Sequence, residues 1–351
     1  MEKFPILNKE DDFVIYYAPL NGVQILDYIH TPYEGYSKES LLGYANRGIK
    51  RSEDPRAFDG DLLRINHAQI NEGILNLILQ RTSYFIHQET QGKVGENRES
   101  ILPPRDCANT LSVSALTVTI DGGELYLWLG EKSAKVNVIG GGELQLLPAG
   151  SASPDDFGDL HATLRETIEE SIRYQLKEGL EAVLKRNLIR KVQEGSYTAE
   201  TYQQVKDDFA IINPGEITAE FTRPPIELAS KVALLKPVAY LDRYKARNPW
   251  VLYALALAIE NQEIINGIKA HKMIAQAGIP GIKGPEFENL QPILLRKPDF
   301  EQWYAEKKEK IRPHARGAIT VLMNNWDYLL DMYQSCFHLR EEALSSIARG
   351  Q

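Results

Sequence analysis

The 351-residue sequence contains only two cysteines, Cys107 and Cys336, and they lie far apart. Such a pair forms neither a disulfide framework nor the closely spaced ligands of a structural zinc site, so free thiols in a reducing compartment are expected. The first residues, Met1 to Pro5, also lack the charged and then apolar pattern of a signal peptide. We predict a cytoplasmic protein.

Basic charge and long apolar runs are scarce as well. The formal net charge is −8, whereas a generic nucleic-acid-binding surface needs a basic excess. The longest strongly apolar run, from Trp250 to Ile259, is too short to span a bilayer. We therefore expect neither nucleic acid nor a membrane as a partner. A phosphorylated small molecule remains compatible, because its site needs only a local group of cations and a metal ion.

Two hydrolase signatures are missing from the sequence. The seven histidines are scattered and form no H-E-x-x-H motif, which gives no support to zinc hydrolase chemistry. The chain also lacks the G-x-S-x-G elbow of many serine hydrolases. Chemistry that depends on either motif is therefore not predicted.

The chain is long enough to bury a large core. Its hydrophobic content of 43% and charged content of 25% are ordinary for a globular protein of one elaborated domain or two domains. Residues 89–105 are polar and end in Pro103-Pro104, which is typical of a linker. We predict a β-rich amino-terminal domain with its linker over residues 1–104, and a second domain over residues 105–351.

Alternating apolar patterns predict strands in both parts, and longer periodic patterns predict helices. The helices are expected from about residue 159 and from 313 to 333. Asp121-Gly122-Gly123 predicts a hairpin turn. The glycines at 140–142 also predict a turn rather than a phosphate loop, because no Gly-Lys-Ser/Thr follows. The predicted strands cover residues 13–17, 62–65, 74–79 with 82–85, 111–120, 124–129, 135–139, the region of 146, 232–235, 237–241 and 250–259.

The most informative segment is acidic and helical in its spacing. At about 100° per residue, Glu166, Glu169 and Glu170 share one face of the expected helix. Three carboxylates on one face repel each other, and a hard cation such as Mg²⁺ relieves that repulsion. The alternative is a solvated acidic face whose charge Arg165 partly offsets. The segment alone favours the solvated acidic face.

The residues before this segment connect it to a known family. An apolar run at 146–150 ends in Gly150, and turn-forming residues 151–156 follow. The order of strand, glycine turn, acidic loop and helix resembles the Nudix hydrolase family, whose signature is G-x5-E-x7-R-E-U-x-E-E-x-G-U, with U an aliphatic residue. Gly150 matches the first glycine, and the core of the signature is matched by Arg165, Glu166, Glu169 and Glu170.

The resemblance implies a fold, a reaction and roles for these residues. The fold would be α/β (α+β), with a Nudix-type mixed sheet between helices. The reaction would be hydrolysis of a nucleoside diphosphate derivative with Mg²⁺, or alternatively Mn²⁺, held by Glu166, Glu169 and Glu170. Arg165 would orient these carboxylates, and the loop with Gly150 and Asp156 would shape the approach to the metal. The amino-terminal strands are also similar to the small β domain of UDP-sugar pyrophosphatases.

The sequence departs from the signature at four positions. Asp156 stands where the first glutamate belongs and is one residue too far from Arg165, while Thr167, Ile172 and Arg173 replace an aliphatic, a glycine and an aliphatic residue. These changes leave a second interpretation open, in which the domain binds a ligand or a partner without hydrolysing it.

Other residues offer contacts to a nucleotide. Arg64, Lys135 and Arg165 could face a diphosphate. Several tyrosines could stack on a base, although tyrosines in strands are more often core residues. These tyrosines are Tyr16, Tyr17, Tyr84, Tyr240 and Tyr253.

Residues 174–230 read as a mostly helical insertion. Its apolar positions, such as Leu176, Leu180 and Leu184, continue beyond the expected end of the acidic helix. A stripe of this length must be covered, because large exposed apolar patches are uncommon in monomers. A homodimer would cover it, and so would the amino-terminal domain or the second half of the insertion.

Overall fold

The structure is a computed structural model that describes residues 13–33, 60–84, 86–87, 108–133, 141–154, 232–243, 248–276 and 287–348. The described residues form eleven strands and four α-helices, so the expected mixed α/β class is confirmed. The strands are β1 (Phe13–Tyr17), β2 (Gly22–Ile29), β3 (Asp61–Asn71), β4 (Ile74–Ser83), β5 (Ser112–Asp121), β6 (Glu124–Lys132), β7 (Leu144–Leu146), β8 (Ala149–Ser151), β9 (Val232–Arg243), β10 (Asn248–Leu257) and β11 (Phe287–Leu294). The helices are α1 (Asn261–Gln276), α2 (Lys297–Lys307), α3 (Pro313–Asn324) and α4 (Trp326–Ala348).

Eight strands form the main sheet in the order β1-β9-β10-β5-β6-β11, with β7 beside β6 and β8 beside β5. β10 runs parallel to β5, whereas β9 runs antiparallel to both β1 and β10. The sheet is therefore mixed. β1 belongs to it although this strand precedes the expected domain boundary at residue 104. The sequence alone gives no sign of this pairing, because β1 and β9 lie more than 200 positions apart.

β10 is the central strand that its apolar run predicts. Every residue of β10 after Asn248 is buried. Such a continuous apolar run is typical of a strand that is covered on both faces. The strand ends at Leu257, and α1 begins four residues later at Asn261.

The two strands predicted at 232–235 and 237–241 are one strand, β9. The register with β10 shifts where Leu252 pairs with Ala239 and Tyr253 pairs with Pro237. A bulge accommodates proline, which has no N–H to contribute to the ladder. Pro237 therefore marks an irregularity within the strand rather than its end.

The predicted hairpin of β5 and β6 is confirmed. Gly122 and Gly123 have φ values of +57° and +82°. Two adjacent residues with positive φ make the tight turn whose twist matches that of the flanking strands, and glycine adopts this conformation without steric cost.

α3 and α4 cover one face of the main sheet. Leu241, Leu252 and Leu116 of the sheet belong to the same apolar core as Ile319 and Leu322 of α3. The single helix predicted at 313–333 is interrupted at Asn325, whose Nδ2 donates a 2.9 Å hydrogen bond to the carbonyl oxygen of Val321. Asparagine side chains compete in this way with the hydrogen bonds of a helix. The prediction of one helix was therefore wrong at this position.

The opposite face carries a small sheet and α1. The small sheet has the strand order β2-β4-β3 and shares an apolar core with Val113, Val251 and Tyr253 of the main sheet. Ile264 and Ile268 of α1 pack in a further cluster with Trp128. The main sheet therefore lies between helices. Within the residues that the structure describes, no helix is long and apolar enough to cross a membrane.

Candidate functional site

The strands β5 and β6 pair over only part of their length, and beyond that part each pairs with one of the two short strands that precede the acidic segment. The pairing of β5 with β6 runs from Val118 to Asp121. Towards its start, β5 pairs with β8, while the far end of β6 pairs with β7. The chain therefore crosses from the side of β6 to the side of β5 through Leu147 and Pro148. We call these two residues the crossing.

Two hydrogen bonds from β5 hold the crossing. The Thr117 hydroxyl donates to the carbonyl oxygen of Leu147, and the Ala115 N–H donates to the carbonyl oxygen of Pro148 at 3.1 Å. Thr117, Ala115 and Leu147 are all fully buried. The Leu147 side chain lies in the apolar cluster under α1 with Ile264. The position of the crossing is therefore set by β5 on one side and by α1 on the other.

Gly150 follows the crossing and is the first residue of the predicted site. It lies within β8, where it pairs with Val113 of β5, and the strand continues to Ser151. The sequence predicts a glycine turn at this position. That prediction was wrong because the start of β5 offers β8 a ladder partner, which keeps the backbone extended through Gly150.

The small sheet binds the chain directly after β8. The Ala152 N–H donates to the Leu111 carbonyl oxygen at 2.9 Å, and the Leu63 N–H donates to the Ala152 carbonyl oxygen at 2.9 Å. The Leu111 N–H in turn donates to the Leu63 carbonyl oxygen at 2.8 Å. Leu63 belongs to β3, so the amino-terminal strands help to position the residues that precede the acidic segment.

Polar side chains lie side by side at this end of the sheet. Ser112 of β5 donates a 2.9 Å hydrogen bond to Oδ1 of Asn248, and its Oγ lies 3.5 Å from Oγ of Ser151. The three residues stand on the neighbouring strands β8, β5 and β10. They can offer both donors and acceptors to a polar ligand at the point where the chain leaves β8.

The start of α3 lies next to the same region. The Arg312 N–H donates to the Leu144 carbonyl oxygen at 2.9 Å, and the Arg312 Nε lies 3.6 Å from a carboxylate oxygen of Glu143. The His314 ring meets the Trp250 ring edge-on, with 6.1 Å between centroids. A helix amino terminus carries a positive partial charge, which adds to that of Arg312 and is partly offset by Glu143.

Two buried polar atoms near Ser112 have no hydrogen-bond partner among the residues that the structure describes. They are Nε1 of Trp250 and Oγ of Ser114, on residues that are each 2% exposed. A buried donor without an acceptor costs free energy, because it loses its bond to water on folding. Both atoms are enclosed by protein, so we treat them as a local cost in stability rather than as ligand-binding groups.

The other predicted site residues lie outside the described part of the chain. Of the predicted site residues, the described part of the chain contains Gly150, within β8. The remaining residues, for which the sequence is the only support, are Asp156, Arg165, Glu166, Glu169 and Glu170, together with Lys135.

Arg64 does not face a diphosphate. It is 4% exposed and donates to Oε1 of Gln80 at 2.8 Å and to Oδ1 of Asn66 at 3.1 Å. Its guanidinium carbon also lies 4.0 Å from the centre of the Tyr33 ring. Because these neighbours on and next to the small sheet already occupy the side chain, Arg64 has a structural role, and the prediction of a phosphate contact was wrong.

Three of the candidate tyrosines are core residues. Tyr16, Tyr240 and Tyr253 are all buried, and the rings of Tyr16 and Tyr240 pack 5.2 Å apart. Burial, and then the nearby Asp242 carboxylate, hold the pKa of Tyr240 well above its usual value. These three rings are therefore part of the core and do not form a base-binding surface.

The described residues offer no alternative reactive centre of the common kinds. Among them, no three histidine, cysteine, aspartate or glutamate side chains are grouped closely enough to hold a metal ion. Burial raises the pKa of the Cys336 thiol to about 11, which leaves little thiolate at neutral pH. Mg²⁺ prefers carboxylate oxygens, and the expectation that it is held at 166–170 rests on the sequence.

Sequence reasoning missed Thr117, Ser112 and Arg312. Thr117 and Ser112 stand in a strand with a regular pattern of apolar and small polar residues, which predicts the strand but not their partners. Their partners, Leu147 and Asn248, lie 30 and 136 positions away along the chain. Arg312 directly precedes the proline that predicts α3, and this proline was the available signal for a helix start near the site.

Comparison with known proteins adds no family to this description. No family model matches the chain, and no curated protein matches its sequence. The function is therefore proposed from the residues of the chain alone.

Proposed function

We propose that the protein is a Nudix-type hydrolase that uses Mg²⁺, or alternatively Mn²⁺, to cleave a nucleoside diphosphate linked to another group, such as a nucleotide sugar. One observation carries the proposal, namely the run Arg165-Glu166-Thr167-Ile168-Glu169-Glu170 after Gly150. Its spacing predicts one helix face with three carboxylates. A concentrated anion such as a pyrophosphate is bound through a metal that such a face would hold.

The proposed chemistry assigns a task to each residue. Glu166, Glu169 and Glu170 hold the metal, which neutralises the diphosphate charge when it is bound. One of these glutamates accepts a proton from the water that attacks phosphorus. The bond between that phosphorus and the bridging oxygen then breaks, and two phosphate monoesters leave. Arg165 orients the carboxylates, and Gly150 and Asp156 line the approach.

The described geometry supports this assignment through the hydrogen bonds that hold β8 and Ala152. Residues that bind a reacting group need placement within about 0.5 Å, so a site benefits from rigid elements. β8 is hydrogen-bonded to β5 inside the main sheet, and Ala152 is bonded to both Leu111 and Leu63. The polar groups of Ser112, Ser151 and Asn248 lie beside the same strand and suit a hydrophilic substrate.

A binding module without hydrolysis is the second candidate. Two observations favour it: Asp156 is shorter than the expected glutamate and is displaced by one position, and Gly150 lies within a strand rather than in a turn. Either change could leave the ligands poorly arranged for catalysis. Calorimetry with Mg²⁺ and nucleotides separates the candidates, because binding without turnover supports the module and turnover excludes it.

Turnover assays test the proposal directly. The full chain is incubated with Mg²⁺ and a panel of nucleotide sugars, dinucleotides and nucleoside triphosphates. We expect phosphate monoesters from at least one diphosphate-linked substrate, and strong loss of this activity in Glu169→Gln and Glu170→Gln. Glu301→Gln, which changes an exposed glutamate on α2, is the matched control and should retain activity. Equal activity in all three variants would exclude this site.

Two further properties are part of the proposal. The isolated cysteines support a cytoplasmic location. The apolar stripe of the insertion at 174–230 supports a homodimer, with coverage inside one chain as the alternative. Light scattering at micromolar concentration distinguishes the two, since a mass near 39.7 kDa that does not change on dilution supports a monomer.

A further inference from the structure

We infer that Thr117 is a positioning residue, whose hydroxyl fixes the crossing and thereby the place of β8 and Gly150. The inference rests on the proposed function, because Gly150 matters for activity only if the site lies where we propose. Thr117 is fully buried, and its hydroxyl donates to the Leu147 carbonyl oxygen.

The crossing needs this hydrogen bond because it lies between two short ladders. Leu146 still pairs with Leu129 of β6, and Ala149 already pairs with Ser114 of β5. Leu147 and Pro148 belong to neither ladder, and proline has no N–H to donate. The Thr117 hydroxyl and the Ala115 N–H therefore take the place of strand partners for the two carbonyl groups of the crossing.

The hydroxyl acts on β8 because the distance along the chain is short. Only two residues, Pro148 and Ala149, separate Leu147 from Gly150, and the ladder of β8 with β5 contains only three residue pairs. A buried carbonyl without a donor is unfavourable, so loss of the hydroxyl favours a displaced crossing. If the crossing is displaced, β8 pairs with β5 in another register or at a longer distance. The residues that follow Gly150 then move as well.

Thr119 provides a matched comparison on the same strand. It stands two residues after Thr117, on the same face of β5, and is also fully buried. Its hydroxyl accepts a 2.8 Å hydrogen bond from Nε1 of Trp128 and donates a 2.5 Å hydrogen bond to Oδ1 of Asn261. Thr119 therefore connects β5 to β6 and to the start of α1, and these two hydrogen bonds do not reach the carbonyl groups of the crossing.

The experiment compares Thr117→Val, Thr117→Ser and Thr119→Val in the full-length chain. Hydrogen–deuterium exchange of peptides that cover residues 144–154 reports the crossing without metal or substrate. Steady-state kinetics on a nucleotide sugar report kcat, KM and the Mg²⁺ concentration for half-maximal activity. Thr117→Ala is added as a second variant in case the valine side chain prevents folding.

Thr117→Val should exchange faster over 144–154 and should lower kcat, or raise the Mg²⁺ requirement, by about 10- to 100-fold, the range typical of lost support around a metal site. KM should change little, and Thr117→Ser should restore both readouts. Thr119→Val should lower the melting temperature but change exchange over 144–154 and the Mg²⁺ requirement clearly less than Thr117→Val does, because its hydrogen bonds do not reach the carbonyl groups of the crossing.

Two results would overturn the inference: exchange over 144–154 that is unchanged in Thr117→Val, or equal effects of Thr117→Val and Thr119→Val. Failure of the proposed function gives a different pattern. In that case the wild-type chain turns over none of the substrates, and the exchange comparison alone decides whether Thr117 positions β8.

Discussion

The hydroxyl group of Tyr16 donates a 2.9 Å hydrogen bond to Oδ2 of Asp242 and so joins β1 to β9. Both side chains are buried. The bond connects residues that lie 226 positions apart, and it secures the edge strand that comes from the amino-terminal part of the chain. The expected division of the chain near residue 104 therefore does not keep β1 apart from the main sheet.

Tyr16→Phe should lower the free energy of unfolding by about 1–3 kcal/mol, because the buried carboxyl group loses a donor. Denaturant-induced unfolding measures this change. Tyr328→Phe is the control, since Tyr328 is 44% exposed and its hydroxyl meets Lys236 at 3.2 Å near the surface. We expect the control to stay within about 0.5 kcal/mol of the wild type. Equal losses in both variants would show that the Tyr16–Asp242 hydrogen bond contributes no more to the free energy of unfolding than the exposed Tyr328 hydroxyl does.

Arg64→Lys should be destabilising although it keeps the positive charge. Lysine cannot reproduce the planar stacking on Tyr33 together with the hydrogen bonds to Gln80 and Asn66. We expect a loss of about 1–3 kcal/mol in the free energy of unfolding. Arg81→Lys, on the neighbouring strand, alters an exposed ion pair with Asp61 and should cost less than about 1 kcal/mol. If both variants cost the same, the buried contacts of Arg64 do not contribute as described.

His87 should make the fold sensitive to mild acid. Burial lowers the pKa of His87 from 6.5 to about 4, although a backbone hydrogen bond with Ala108 acts in the opposite direction. The unfolded chain therefore binds a proton below pH 6.5, whereas the folded chain binds it only near pH 4. The contribution of His87 to the free energy of unfolding is fully present above pH 6.5. It falls by up to about 3 kcal/mol as the pH drops to 4.

Unfolding free energies measured between pH 7 and pH 4 test this expectation. His87→Gln should flatten the part of the pH dependence that lies between pH 6.5 and 4. His67→Gln changes an exposed histidine on β3 and should leave the wild-type curve intact. The account of His87 fails if both variants retain the wild-type slope.

Ser114→Ala should leave the fold unchanged or stabilise it by up to about 1 kcal/mol, because its buried hydroxyl has no partner within the described ranges of the chain. Ser133→Ala is the matched change at a buried serine whose hydroxyl donates to Oε1 of Glu288 at 3.2 Å. It should cost about 1 kcal/mol. Thermal unfolding of both variants checks the contrast, and a clear loss in Ser114→Ala would point to a partner for that hydroxyl.

The sequence predicts most elements of the fold that depend on local pattern. The continuous apolar run of β10, the glycine pair between β5 and β6, and the proline at the start of α3 each determine their local structure. The partners of these elements are set by contacts between distant positions. The parallel pairing of β10 with β5 and the place of β1 beside β9 are examples that no local pattern contains.

The candidate site shows the same contrast between features that a local pattern predicts and features that depend on contacts between distant positions. The sequence proposes the carboxylates through their helical spacing, and it proposes Gly150 through the resemblance to the Nudix signature. It places Gly150 in a turn, whereas the structure places it in a strand. β8 can pair with β5 at 112–114 because the main sheet divides there, and no local sequence pattern shows that division. It also leaves Thr117 unnoticed, because a threonine in a strand is ordinary until its acceptor on Leu147 is known.

The most direct test of the central claim is Mg²⁺-dependent turnover of a nucleotide sugar by the wild-type chain and by the double variant Glu169→Gln/Glu170→Gln, with calorimetric binding of Mg²⁺ measured on the same samples. We expect the wild type to bind Mg²⁺ and to release a nucleoside monophosphate only when the metal is added. The double variant should remain folded, bind Mg²⁺ more weakly and lose nearly all turnover. Wild-type turnover that does not depend on Mg²⁺, or turnover that survives in the double variant, would contradict the proposed site.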